Sequence, residues 1–286
     1  MGVESIVHGP DHVDAGLIHL APMRERPVTY TYEPPPGVPW RTGKYVEVGL
    51  PVWNGRGAAE RFTLDENGFT FIWHRTAVAD FHDQRAIKEV YYPEVEGEMK
   101  RATGAAKVIA FDHNLRSGTV VGRDANGVRE PVRRAHNDFT VRSGPRRARD
   151  ELLAAGEDPD RWLGHRFAIV NLWRPIRGPV RSMPLAVCDA RTIAPGDFVT
   201  TDLLYRDRVG EVYSLTHDAR HRWFYFPEME TDEALLLKCF DSEERGPARF
   251  TAHTAFDDPT SPAGAPPRES IEVRTLVLYG PAPPRA

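Results

Sequence analysis

The chain has 286 residues, 41% of them hydrophobic and 27% charged, with a formal net charge of -4. This balance supports a packed core and excludes a disordered or fibrous chain, and it offers no clustered basic surface for nucleic acid. The start, MGVESIVHGPDHVDAGLIHL, lacks the basic segment and apolar core of a secretion signal, and no run is apolar for long enough to cross a bilayer. A cytoplasmic protein with neither nucleic-acid nor membrane partners is expected.

Along the chain, residues 1–60 are rich in Pro and Gly with short β-prone pieces (VTYTY, YVEVGL). Residues 78–107 carry a spaced apolar stripe interrupted at Pro93 and predict two helices packed on one side. A further helix, RRARDELLAAG, should end at Gly156, its mixed charges marking a solvated face. The strand candidates KVIAFDHNL, RRAHNDFT, FAIVNLWRP, LAVCDA, EVYSLT, RWFYFP, ALLLKCF, ARFTAHTAF and SIEVRTLVLY are separated by Gly, Pro and Asp turns. Many short strands of this kind predict a mainly β fold with flanking helices, a sandwich or jelly roll. No seam divides the chain, so a single domain over 1–286 is expected, with 1–104 packing on a core of 105–280. Cys188 and Cys239 lie in apolar runs and are expected to be free, buried thiols.

His136 and Asp138 in RRAHNDFT are two apart, so a strand presents both to one side. His253 in ARFTAHTAF follows His136 by 117 positions and would complete two imidazoles and a carboxylate. That set holds iron(II) on one octahedral face and leaves three positions for a bidentate oxoacid and dioxygen. A second His-x-Asp pair, His12 and Asp14, has no matching downstream elements and is read as surface. His221, four after His217 in SLTHDARHRWFYF, remains the alternative third ligand.

Arg268 lies 15 positions beyond His253 in PPRESIEVRTLVLY. Its fork, with the Ser270 hydroxyl on the same face, suits the distal carboxylate of a bound 2-oxoglutarate. Alternation puts Glu272 and Arg274 on that face too, with Ile271, Val273 and Val277 on the other. Trp173, Tyr213 and Phe250 are expected beside a mostly apolar cavity, and Arg174 beside a surface acid.

HNDFT, VNLWRPIRGPV, PLAVCDARTI, GEVYSLTHDARHRWFYFPEM, LLLKCFDS, AHTAFDDP and PPRESIEVR, in this order, resemble the CmcJ/AsaB-like oxidoreductases. That family includes the cephamycin 7α-hydroxylase component and fungal hydroxylase/desaturases of secondary metabolism. The resemblance spans residues 105–280 and implies a double-stranded β-helix (jelly roll, cupin-like) using iron(II), 2-oxoglutarate and dioxygen. It implies metal ligation by His136, Asp138 and His253, and 2-oxoglutarate binding by Arg268 and Ser270. The Arg268 to Arg274 interval is similar to one in the nucleic-acid demethylating branch, which implies that Arg274 approaches the C1 carboxylate or the substrate. Where the family often has HVDQ this chain has HNDF, which bears on pocket shape. The implied activity is hydroxylation, desaturation or cyclisation of a small secondary metabolite, with succinate and carbon dioxide as coproducts. The competing class is a non-catalytic jelly-roll binding protein or an accessory subunit of a tailoring enzyme. The sequence leaves open the substrate, the reaction outcome, and whether the chain forms a homodimer or joins a partner enzyme.

Overall fold

A computed structural model describes residues 10–122, 127–246 and 248–280. The strands are β1 (His12–Leu20), β2 (Val28–Tyr30), β3 (Tyr45–Asn54), β4 (Phe69–Trp73), β5 (Lys107–Ser117), β6 (His136–Asn137) and β7 (Phe167–Arg177). They continue with β8 (Leu185–Cys188), β9 (Phe198–Leu204), β10 (Val209–Leu215), β11 (Trp223–Tyr225), β12 (Glu233–Asp241), β13 (His253–Ala255) and β14 (Glu269–Leu278). Two facing sheets make a jelly roll. The large one runs β1-β3-β11-β8-β13-β6-β10-β9-β2 and the small one β4-β12-β7-β14-β5.

The small sheet separates two kinds of burial by alternation along its strands, interrupted at bulges in β12 and β14. Its outer face presents Val170, Leu172, Leu236, Val273 and Val277 to the helical layer. That layer comprises α1 (Gln84–Ala86), a π-helical segment Ile87–Tyr91 and α2 (Tyr92–Thr103). Ile87, Tyr91, Val95 and Met99, spaced by four and fully buried, form its apolar stripe. Burying each contributes about 1.5–3 kcal/mol.

The two helices expected around Pro93 are therefore one continuous run from Gln84 to Thr103. Pro93 falls in the first turn of α2, where a missing N–H costs least, and the wider π segment just before it changes the hydrogen-bond register without ending the helix. Asp83 caps the start through Arg85 N and Ala86 N, and Gly104, at φ 68°, ends the run. Two further helices, α3 (Ser143–Ala154) and α4 (Pro159–Leu163), border the open end, and Gly156 takes its left-handed turn at φ 72° after α3.

The inner face of the small sheet is apolar at one end, where Ile169, Trp173, Leu235, Leu237, Leu276 and Leu278 meet Phe139, Val187 and Phe226 from the large-sheet side. At the other end it is polar. On β14 the change occurs within one strand, from Leu276 and Leu278 to Arg274, Glu272 and Ser270.

Three strands, β1, β4 and β9, were not anticipated. β1 pairs with β3 along its whole length, and Ala135 N donates to Ile18 O at 2.8 Å, which brings β1 beside the β6 segment. The large sheet thereby curls around Val13, Leu17, Val52, Trp223 and Phe256. His12 and Asp14 sit on β1 with exposed side chains.

Candidate metal centre

His136 and Asp138 leave the short strand β6 on one side, and His253 opens β13, its direct partner in the large sheet. One ligand atom from each of the three lies within 4.8 Å of the others. The two imidazole rings are 4.4 Å apart between centroids, and His136 Nε2 is 3.6 Å from Asp138 Oδ1. β6 is shorter than the expected strand because Thr140 turns the chain into α3, its hydroxyl accepting from Arg142 N and Ser143 N.

Two of the three groups are held on their far side. His136 Nδ1 donates to the carbonyl of Arg134 at 2.8 Å, which fixes the proton there and leaves the Nε2 lone pair facing inward. Asp138 Oδ2 accepts from Asn171 Nδ2 at 2.9 Å and from Arg274 Nε and Nη2 at 3.1 Å each, leaving Oδ1 toward the histidines. His253 is buried and its Nδ1 has no protein partner among the described residues. Burial, and then the neighbouring His253, lowers the His136 pKa to about 3, so it is a neutral donor near pH 7. Burial alone would raise Asp138; Arg274, His253 and His136 outweigh it and hold the carboxyl well below its usual range. Two imidazoles, one ionised carboxylate and a buried His253 nitrogen without a protein partner among the described residues fit a divalent iron.

Arg268, immediately before β14, is buried. Its Nη1 donates to the carbonyl of Met183 at 2.6 Å and its guanidinium lies 5.5 Å from the Trp173 ring centroid. Among the described residues its Nε has no partner, and neither has the nearby Ser270 hydroxyl. Burial, then the charge of Arg116, lowers the Arg268 pKa to about 9. A buried guanidinium without a carboxylate, beside a buried free hydroxyl, matches the needs of an incoming carboxylate.

Arg274 is placed otherwise than expected. Besides Asp138 it donates to Asp112 Oδ2 at 2.7 Å and lies 3.8 Å from Glu272, so its fork is engaged by protein acids. These acids hold its pKa above the ordinary arginine value despite burial. His221 is far from service as third ligand: its Nε2 meets Asp197 Oδ2 at 3.0 Å, and its ring lies near His19 and His217.

Other expectations are corrected. Trp173, Tyr213 and Phe250 pack within the core or against one another and do not line the cavity. Arg174 is not at a surface acid; it is buried against His74 and the rings of Phe81 and Tyr91 beneath the helical layer. The cavity that contains His136 and Asp138 has a volume of about 660 Å³ and is markedly polar, with Asp112, Asn114, Arg116, Arg134, Ser214 and Arg274 among its walls.

Sequence reasoning also missed Asn171 and Arg116. Asn171 bridges Asp138 and Glu272 at 2.9 Å each. Its signal was present: it is the single amide inside the apolar run FAIVNLW. Arg116 pairs across β5 and β14 with Ser270 and donates to the carbonyl of Glu130 at 2.8 Å. Burial lowers its pKa from the ordinary arginine value. Glu272, burdened by burial and by Asp138, has its pKa raised.

The family model described as "Oxidoreductase/YMDC permease-like domain" matches residues 17–278. The alpha-ketoglutarate-dependent dioxygenase phiK of a fungal species is 37% identical over 229 residues, which is 76% of this chain and 80% of that protein. The Fe(II)/2-oxoglutarate-dependent dioxygenase nvfI of Aspergillus novofumigatus is 34% identical over 263 residues, 88% of this chain and 90% of that one. A solved structure of the iron and alpha-ketoglutarate-dependent endoperoxidase NvfI superposes with a TM-score of 0.85 at 29% identity, covering 96% of this chain and 100% of that chain. With its jelly roll, its His-Asp-His cluster and these relatives, the chain belongs to the iron(II)/2-oxoglutarate-dependent dioxygenase family.

Proposed function

We propose that this protein couples the oxidative decarboxylation of 2-oxoglutarate to the hydroxylation, desaturation or ring closure of a small secondary metabolite. The observation that carries the reading is the pairing of the His136, Asp138 and His253 cluster with a buried arginine, Arg268, that lacks a carboxylate partner among the described residues. His136, Asp138 and His253 would hold the iron. When bound, iron(II) supplies a site at which 2-oxoglutarate and dioxygen react together, giving succinate, carbon dioxide and an oxidised substrate.

The chain's own groups do the rest. Arg268 and Ser270 take the distal carboxylate, in a setting where water cannot compensate an unpaired charge. Arg274 and Asn171 occupy one oxygen of Asp138 and so aim the other at the metal. The proton on His136 Nδ1 is held by the Arg134 carbonyl, so the ring cannot turn away without losing that bond.

The test is succinate formation from 2-oxoglutarate with iron(II) and ascorbate present. Wild-type protein is expected to consume 2-oxoglutarate, at least slowly, and His253→Ala to consume none. Arg268→Ala should keep its metal yet require far more 2-oxoglutarate, a loss of about 2–5 kcal/mol in cosubstrate affinity for one partner of a buried charged pair. A wild-type protein that leaves 2-oxoglutarate untouched would instead be the non-catalytic binding jelly roll.

A further inference from the structure

The cavity beside the candidate iron site has an excess of guanidinium groups that the reading above does not use. Its carboxylates are mostly engaged: Asp112 and Asp138 by Arg274, and Glu211 by Arg26 at 2.6 Å, with Asp150 remaining exposed on α3. Among its arginines, Arg274 is held by those acids and Arg147 by Glu151 at 2.7 Å. Arg134, half-buried, has no carboxylate within ion-pair distance among the described residues, although Arg133 beside it in sequence is paired with Asp257. The Arg134 guanidinium instead rests on the Tyr45 ring, 5.5 Å from its centroid, and both residues line the cavity together with Thr29 and Thr31.

Position separates Arg134 from the 2-oxoglutarate arginine. Arg268 immediately precedes β14 of the small sheet, whereas Arg134 precedes β6 on the large-sheet side by two residues and so shares the face of His136. Its main-chain carbonyl already orients His136. A half-buried guanidinium, immobilised on an aromatic face and without an anion, is poised for a planar oxyanion. A neutral hydrocarbon would leave that charge facing an apolar surface, which is unfavourable.

Resting on the oxygenase reading, we propose that Arg134, held against Tyr45, is the docking point for a carboxylate of the substrate, so that the enzyme oxidises a carboxylic acid.

The proposal is tested on purified protein loaded with manganese(II) and 2-oxoglutarate under argon, by ligand-observed NMR against a fragment set in which every carboxylic acid is paired with its primary amide. Acids are expected to dominate the ligands bound by wild-type protein. Arg134→Gln should weaken those acids on the order of tenfold and abolish the preference over amides, while Arg134→Lys restores part of it. Equal binding of acids and amides, no binding of either, or an acid preference that survives in Arg134→Gln would overturn it. A parallel 2-oxoglutarate titration keeps the two readings apart. If wild-type protein failed to bind 2-oxoglutarate, the oxygenase reading would fall, and the acid preference could still be measured on the manganese-loaded protein.

Discussion

At the scale of single residues, the site depends on which oxygen of Asp138 is kept free. Three N–H donors converge on Oδ2, two of them from Arg274. Arg274→Gln would remove the charge that keeps the carboxylate ionised and the fork that orients it. Metal affinity is expected to fall about 10- to 100-fold, as measured by competition with a fluorescent chelator. If Arg274→Gln instead kept full metal affinity and raised only the 2-oxoglutarate requirement, the arginine would serve the C1 carboxylate after all. The pairing of His136 with Asp138 and of Arg268 with Ser270 was legible in the sequence because a period of two puts each pair on one side whatever the rest of the fold does. Arg274 was on the expected face, but its partners Asp112 and Asp138 lie 162 and 136 positions away and are set by cross-strand register. Arg116 was hidden for the same reason: only its pairing opposite Ser270 brings it inward.

At the scale of elements, α3 shows how close packing holds the open end of the barrel. Gly144, the second residue of α3, has no side chain, and a Cβ there would come within 2.6 Å of the Phe240 ring. Gly144→Ala is expected to destabilise the fold by about 1–3 kcal/mol through overpacking, read from urea unfolding. An unchanged unfolding midpoint would show that Phe240 yields freely. The strands of the core were legible as alternating or wholly apolar runs, and the helical stripe by its spacing. β1, β4 and β9 were not; in β1, HVDAGLIHL carries mixed polarity and its place beside Arg134 and Ala135 is fixed by tertiary contacts. The apolar cavity expected from Trp173, Tyr213 and Phe250 failed for a related reason: large aromatic residues fill a core as readily as they line a pocket.

Across the whole molecule, buried histidines tie folding to acidity. His19 is fully buried near His217 and His221, with rings 5.4 and 6.4 Å away. Burial chiefly, and those neighbours in addition, lower its pKa from 6.5 to about 4, against a hydrogen bond from Nδ1 to Leu17 O that favours the charged form. Below pH 6.5 the unfolded chain binds a proton that the folded chain refuses until about pH 4, so stability falls as pH drops through this window. The loss from this residue is about 3 kcal/mol. His136, lowered to about 3 by burial and then by His253, acts in the same direction. Urea unfolding at pH 7 and pH 4.5 should show a smaller acid loss in His19→Gln than in wild type; equal losses would remove His19 from this account.

The position of β14 bears on how the molecule is made. It follows every other strand in the chain, yet it lies between β7 and β5, bonded to both. During synthesis these two neighbours emerge from the ribosome first and must wait with open edges until β14 arrives to join them. The same late segment brings Arg268 and Arg274, so the His136, Asp138 and His253 cluster can assemble in space before Arg274, which holds Asp138, or Arg268, the proposed cosubstrate anchor, exists. Competence for oxygen chemistry is thus deferred until the small sheet closes, and a nascent chain stalled before Arg268 should remain sensitive to protease in β5 and β7.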